Sequence, residues 1–409
     1  MWSSFAAQRS FPAVLAAGVT VLMFGLLNFV QLASGSIFYF VNPVGLWGVD
    51  YRDFFQASEK ILQGYSPYLI SRYVTTPVPA TLNTALVPLG FETARTLVVL
   101  VSLGAVLVAY VMACRLAQPA RSADEVVIRL SGVVILLLSY PVYFLFERGN
   151  SDGLVLFFLC LGVYFLPKRA WLGSLWLALA LTFKLYPLLI ILPLIMRRRW
   201  RALLLLGLWV GLLVLLTWSQ WSGFGAVLAQ RSSDFLFFEN GSLANTLRGV
   251  ANLLTHLSHL WGAAWSFTDL IPVMTLAVYG VLLGIVLLAQ YRQRFNPDDF
   301  AVEALLYVPY MVALPLLVFQ YEFVVLIAVL PVICYWWYKP QTRAQRGMLV
   351  LAAIGIALSQ AQAVAMAAVT VSHLPYYLPG LGLVLVLLGI SGYQLLALRP
   401  SLPRPHVAA

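Results

Sequence analysis

Charged side chains are scarce. They make up 10% of the 409 residues while 62% are of the A, V, I, L, M, F, W, Y or C type, whereas ordinary soluble domains carry about 25% charged residues. A water-soluble globule cannot hide that much apolar surface, so the surplus faces lipid. Cysteine is almost absent: Cys114, Cys160 and Cys334 each stand alone in an apolar run with no CxxC spacing, which excludes a disulfide framework and a thiolate metal cage. There is no Gly-rich phosphate loop, no dinucleotide fingerprint and no Asp-x-Asp, so soluble nucleotide-sugar chemistry has no support. Short alternating segments, the mark of a membrane β-barrel, are missing too.

What is present is long, Leu-rich and helical in length. Apolar runs place spans near 12–34, 92–117, 126–146, 150–167, 202–221, 269–291, 301–319, 323–338, 347–371 and 376–398. The expected fold is an all-α polytopic membrane protein, one integral membrane domain over 1–409, with about 10 to 13 transmembrane or half-membrane helices. Ser3, Ser4 and Arg9 precede the run from Ala13 to Leu32, which is too long for a signal-peptide core and is expected to be a retained first span. The net charge of +10 is spread over short loops between spans. That pattern is topology, not nucleic-acid binding.

With both termini in the cytoplasm, the clusters Arg115/Arg121/Arg129, Lys168/Arg169, Arg197–Arg199 with Arg201, Arg292/Arg294, Lys339/Arg343/Arg346 and Arg399/Arg404 share the inner side. A single span over residues 172–196 would put Lys168 and Arg201 on opposite faces, against the preference of Lys and Arg for the cytoplasm. The conflict vanishes if residues 171–196 form a hairpin of two half-helices broken at Lys184-Leu185-Tyr186-Pro187. Each arm is then about 18 Å long, too short to cross, and Lys184 sits at the tip within the membrane.

Two outer loops follow, at 35–91 and 222–268. In the first, Phe54, Phe55, Ser58, Ile61 and Leu62 have helical spacing and Gly64 with Pro67 is a stop signal, which predicts an interfacial helix. In the second, Leu243, Leu247, Val250, Leu254, Leu257 and Trp261 predict another, with Ser242 as N-cap. Most acidic residues fall on this outer side. Two surface helices beside outward acids suit a lipid-linked substrate.

Asp50 has a plain explanation and a functional one. Asp50-x-x-Asp53 resembles a helix capping box; alternatively Asp50 is a carboxylate beside lipid that takes a hydroxyl proton, with Asp53 near the substrate. Glu147-Arg148-Gly149-Asn150-Ser151-Asp152 reads as a solvated turn, or as a site in which Arg148 meets phosphate and Asn150 and Asp152 meet a sugar or head group. Lys184, a lone cation in an apolar stretch, is a functional candidate for lipid phosphate unless it snorkels to an interface; Tyr186 lies beside it. Glu322 is a solvated helix-start acid or an acceptor in a cavity. His256 and His259 are one helical turn apart but have no third ligand at suitable spacing, so no metal site is expected. Asn240-Gly241-Ser242 reads as a turn and cap, or as a glycosylation triplet.

Several ordered pieces resemble glycosyltransferase family 87, membrane enzymes of the GT-C type: Val49-Asp50-Tyr51 with Phe54-Phe55, Ala57, Leu62-x-Gly64 and Pro67-Tyr68; Gly149-Asn150; Lys184-x-x-Pro187 before Arg197-Arg198-Arg199-Trp200-Arg201; and Asn240-x-Ser242-Leu243. The resemblance implies a GT-C-like bundle. It implies a sugar donor on a polyprenyl phosphate, inverting transfer on the periplasmic or extracellular face of the cell membrane, and an acceptor-activating Asp that maps onto Asp50. Where the family commonly has a His-containing aromatic segment, this chain has Val318-Phe319-Gln320-Tyr321-Glu322. Tyr321, Glu322 and His373 are the candidate substitutes.

The expected activity is therefore transfer of mannose or another hexose or pentose from a polyprenyl-phosphate donor to a lipid-linked or glycan hydroxyl. Asp50 is the base; Lys184, Arg148 and Arg248 neutralise the donor phosphate; Asp53, Asn150, Asp152, Tyr186, Asn240, Tyr321, Glu322 and His373 line the substrate site. No cofactor is expected. The rivals are a lipid or sugar transporter, which would show ionisable groups at mid-span and repeated halves, and a non-catalytic assembly subunit.

Overall fold

The computed structural model describes residues 18, 48–70, 72–117, 122–231, 243, 246–247, 251, 255, 258, 270–292, 300–313, 320–337, 339, 341–360 and 378–398. Among them there is no strand. The helices are α1 (Val49–Leu62), α2 (Pro77–Asn83), α3 (Phe91–Ala117), α4 (Ser122–Leu138), α5 (Tyr140–Arg148), α6 (Asp152–Phe165), α7 (Ala170–Phe183), α8 (Ile191–Met196), α9 (Trp200–Leu216), α10 (Phe224–Arg231), α11 (Ile271–Arg292), α12 (Phe300–Leu306), α13 (Val308–Ala313), α14 (Leu330–Trp337), α15 (Arg343–Ser359) and α16 (Leu378–Ala397). Short 3-10 segments intervene, including Tyr186–Ile190 and Gln320–Val329.

Among the described residues three helices, Phe91–Ala117, Ile271–Arg292 and Gly380–Ala397, are long and apolar enough to cross a membrane, and α4 with α5, bent by 53°, passes the same test as a pair. The chain is a membrane protein. The runs at 150–167 and 202–221 and the two arms of 171–196 fold as shorter apolar helices, Asp152–Phe165, Trp200–Leu216, Ala170–Phe183 and Tyr186–Met196, at 1.5 Å per residue less than a straight crossing of about 30 Å needs; the runs 301–319 and 347–371 extend beyond the described residues. The expected first span lies outside the described residues.

One apolar run is enclosed by protein. Residues Phe323 to Cys334 are at most 1% exposed wherever they are apolar, so the 3-10 segment and α14 form a central rod that is hydrophobic all round because other helices surround it. It is flanked by α3, α5 and α6, and α6 in turn packs between α3 and α7. On one side α15 and α16 lie against each other as closely as backbones allow: a Cβ on Gly382 would sit 2.6 Å from the Gly355 carbonyl, and one on Gly389 2.6 Å from that of Met348. Small residues at such a contact let dispersion do what the hydrophobic effect cannot do in lipid.

Each break satisfies the polar groups it frees. At the α4–α5 bend Pro141 occupies the first turn of α5, and Gln360, just past α15, accepts from the Tyr140 amide through its carbonyl and from the Ser139 hydroxyl through its side chain, at 3.1 and 2.7 Å. The Gln360 amide also donates to the Phe323 carbonyl at 2.9 Å. Such pairing is what makes irregular backbone tolerable at membrane depth. At the end of α7 the chain leaves the helix at Lys184 (φ −144°, ψ 144°), and Pro187 opens the next 3-10 turn.

Candidate active site

Four breaks in the helical pattern meet at one place: the start of α1, the α5–α6 junction, the Lys184 break and the start of the 320–329 segment. The α5–α6 junction turns sharply because Gly149 adopts φ +67°, the left-handed cap that glycine tolerates best. The same glycine admits α1. A Cβ there would lie 2.7 Å from the Cβ of Tyr51, and the Gly48 amide donates to the Glu147 carbonyl at 2.6 Å. The two chain segments are thus joined backbone to backbone.

Asp50 does not cap α1. The N-cap is Gly48, itself left-handed at φ 69° and without a side-chain cap bond, and Asp50 lies inside the first turn. The capping-box reading fails because the junction with Glu147 sets where the helix begins. The Asp50 carboxylate is turned towards the α5–α6 junction. The Asn150 amide donates to its Oδ2 at 2.8 Å, and Arg148 Nη1 stands 3.9 Å from its Oδ1. Asn150 is held in turn, its Oδ1 accepting from the Ser151 amide at 2.7 Å. The Arg148 guanidinium lies over the Phe144 ring, 4.9 Å from its centroid.

Two residues on, Asp152 belongs to a second, deeper group. Its Oδ1 accepts from the Tyr186 hydroxyl at 2.9 Å and its Oδ2 is 3.5 Å from Lys184 Nζ. Lys184 Nζ is also 3.7 Å from Glu322 Oε1. The ammonium therefore bridges two carboxylates, one fully buried and one with 8% of its side chain exposed. Asp50 lies near enough to act electrostatically on both Lys184 and Glu322. With every group ionised, the three acids and two bases leave one net negative charge.

An apolar cavity of about 340 Å³ adjoins this polar strip, lined among others by Tyr51, Phe54, Leu86, Leu97, Gly149, Ser151 and Phe183. Its wall includes the immediate chain neighbours of Asp50, Asn150, Asp152 and Lys184. Asn83, also in the wall, accepts from the Tyr51 hydroxyl at 3.0 Å and donates to Ser58, which holds α1 against α2. Burial pushes the Tyr51 phenol up to about 12, so it remains a donor. The Thr76 hydroxyl donates to the Thr182 carbonyl, tying this wall to the end of α7.

The family model of glycosyltransferase family 87 matches residues 73–315, more than half of the chain. The chain belongs to glycosyltransferase family 87. No curated protein and no solved structure matches it. The family 87 match contains Arg148, Asn150, Asp152, Lys184 and Tyr186, while Asp50 and Glu322 flank it and are brought to it by folding.

Of the residues singled out in the sequence, Asp50, Arg148, Asn150, Asp152, Lys184, Tyr186 and Glu322 come together in this family 87 chain. Asp53 lies one turn further along α1, half-buried. The Tyr321 backbone is in the 320–329 segment; its side chain, and Asn240, Arg248, Ser242, His256, His259 and His373, lie outside the described residues. Among the described residues no group of three or more His, Cys, Asp or Glu side chains is placed to hold a metal ion. The pairing of Lys184 with Glu322 escapes a sequence reading because 138 positions separate them; the one signal is that each is a lone charge next to apolar stretches.

Proposed function

We propose that this glycosyltransferase moves a sugar, a hexose or a pentose, from a polyprenyl-phosphate donor to a hydroxyl of a lipid-linked or glycan acceptor on the non-cytoplasmic face of the cell membrane, with inversion. The observation that carries the proposal is the Asp50 carboxylate, oriented by the Asn150 amide at 2.8 Å and set next to an apolar cavity. A carboxylate so placed takes the acceptor hydroxyl proton. The hydroxyl oxygen bonds to the anomeric carbon as the bond from that carbon to the phosphate oxygen breaks, and the lipid phosphate leaves with the electron pair.

Charge builds on the departing phosphate, and cations fixed in advance lower that barrier most. Arg148, with Nη1 3.9 Å from Asp50 Oδ1, is the cation set beside the base. Lys184 and Arg248 are the further candidates, but a phosphate at Lys184 must compete with Asp152 and Glu322. Asp53, Asn240, Tyr321 and His373 remain proposed substrate contacts. The apolar cavity supports a donor carried on lipid, since its wall offers few polar atoms to a nucleotide.

Purified protein given radiolabelled polyprenyl-phosphate sugar and membrane lipids should transfer sugar. Asp50→Asn keeps an oxygen to accept from Asn150 but cannot take a proton, so single-turnover transfer should fall by about 10² to 10⁴-fold with donor binding intact. Substantial remaining turnover removes the base assignment. Sugar crossing the membrane without transfer would instead make the protein a transporter.

A further inference from the structure

Away from the polar strip, a second cavity of about 360 Å³ opens between α8 and α11, lined by Leu192, Ile195, Met196, Leu287, Leu288 and Tyr291. Among the described residues no polar side chain other than the Tyr291 phenol contributes to it. Ile195, Leu288 and Tyr291 are exposed. The lining residues belong to the last turns of both helices, and at that end both chains turn basic: Arg197, Arg198, Arg199 and Arg201 follow α8, and Arg292 ends α11.

These arginines are not equivalent. Arg197 makes a two-pronged pair with the buried Glu303, Nε to Oε2 at 2.7 Å and Nη2 to Oε1. The Arg199 guanidinium stacks over Phe300, 4.4 Å from the ring centroid. Arg198, Arg201 and Arg292 are exposed. Arg198 has φ 51°, which among the described residues no other non-glycine shares on the positive side. A left-handed arginine is held there against its own preference. Trp200, exposed between these arginines, is the kind of side chain that sits at head-group level.

We infer that this groove is a binding site for one anionic phospholipid, an acyl chain lying between α8 and α11 and the head-group phosphate meeting Arg198 and Arg292. The occupant is set by charge. An apolar slot between two helices that both run out into exposed arginines complements a lipid that is negative at the head and apolar in the tail, and basic pockets between membrane helices hold such head groups. A zwitterionic lipid offers the same tail but brings its own cation to the arginines. The site is separate from the Asp50 strip: α8 is the arm that runs from the Lys184 break to Arg197.

The test is native mass spectrometry of the full chain in detergent, with phosphatidylglycerol and phosphatidylcholine of the same acyl composition in competition. One phosphatidylglycerol retained per protein in preference to phosphatidylcholine is the expected result. Arg198→Gln with Arg292→Gln should lower its retention about thirtyfold, the worth of two arginines near a lipid surface. Leu288→Trp, which fills the slot and leaves the arginines, should lower it as well. Equal retention of the two lipids by the unaltered protein overturns the proposal, whatever the variants do. So does unchanged phosphatidylglycerol binding in the double arginine variant.

Discussion

Replacing Lys184 by Met removes the ammonium that stands 3.5 Å from Asp152 and 3.7 Å from Glu322, while nearly keeping the side chain's length. At an effective dielectric constant of about 20 each attraction is about 4 to 5 kcal/mol. The measured loss will be smaller than their sum, because a stranded carboxyl can take up a proton and water can enter. Breaking a buried pair from one side costs about 3 to 5 kcal/mol, and that is the destabilisation expected for Lys184→Met in detergent or lipid discs. Glu322→Gln on the Lys184→Met background removes the stranded charge, so the pair should show a coupling of about 1 to 3 kcal/mol in a double-mutant cycle. Equilibrium unfolding followed by tryptophan fluorescence gives both numbers. An unfolding midpoint equal to that of the parent, or a coupling below about 0.5 kcal/mol, refutes the bridge. Donor binding in the same variant separates two roles: a loss of donor affinity in protein that is fully folded places phosphate at Lys184, whereas unchanged affinity leaves Lys184 as a brace for Asp152 and Glu322.

Asn150→Ala removes the amide that donates to Asp50; a hydrogen bond to a charged group is worth about 1.5 to 3 kcal/mol, so kcat should fall roughly ten- to a hundredfold with donor KM unchanged, and a loss confined to KM contradicts the orienting role. Gly149→Ala forces a Cβ to 2.7 Å from Tyr51 at φ +67°; unfolding should reveal at least about 1 to 2 kcal/mol of destabilisation together with loss of transfer, and parent-like values would refute the close contact. Arg197→Ala leaves the buried Glu303 without its guanidinium and should cost about 3 to 5 kcal/mol, part of it recovered by Glu303→Gln, which thermal unfolding of both variants will check.

The helical class and the break at Lys184 were legible in the sequence, because apolar run length and Pro187 act locally. The bend at Pro141 was not: it falls inside the run 126–146, which reads as a single span until the chain is seen to turn by 53° there. Span counting was less legible. A run such as Phe323 to Cys334 is apolar because protein encloses it, and hydropathy cannot tell enclosure by side chains from enclosure by lipid. The members of the polar strip were legible as isolated charges, but their partnerships were not: Asp50 meets Asn150 and Lys184 meets Glu322 only when distant segments pack. Of the two readings open for Asp50, the sequence could not dismiss the helix cap, since nothing local announces that the amide of Gly48 is claimed by Glu147.

The bond from Gly48 to Glu147 runs between main-chain atoms, so beyond the two close-packed glycines it does not depend on which side chains form the surrounding wall. The spacing of Asp50 and Asn150 is therefore insulated from changes that reshape the cavity. On the proposed function, rewriting the cavity lining would retune which sugar or acceptor is admitted, while main chain keeps the two segments that carry Asp50 and Asn150 riveted together.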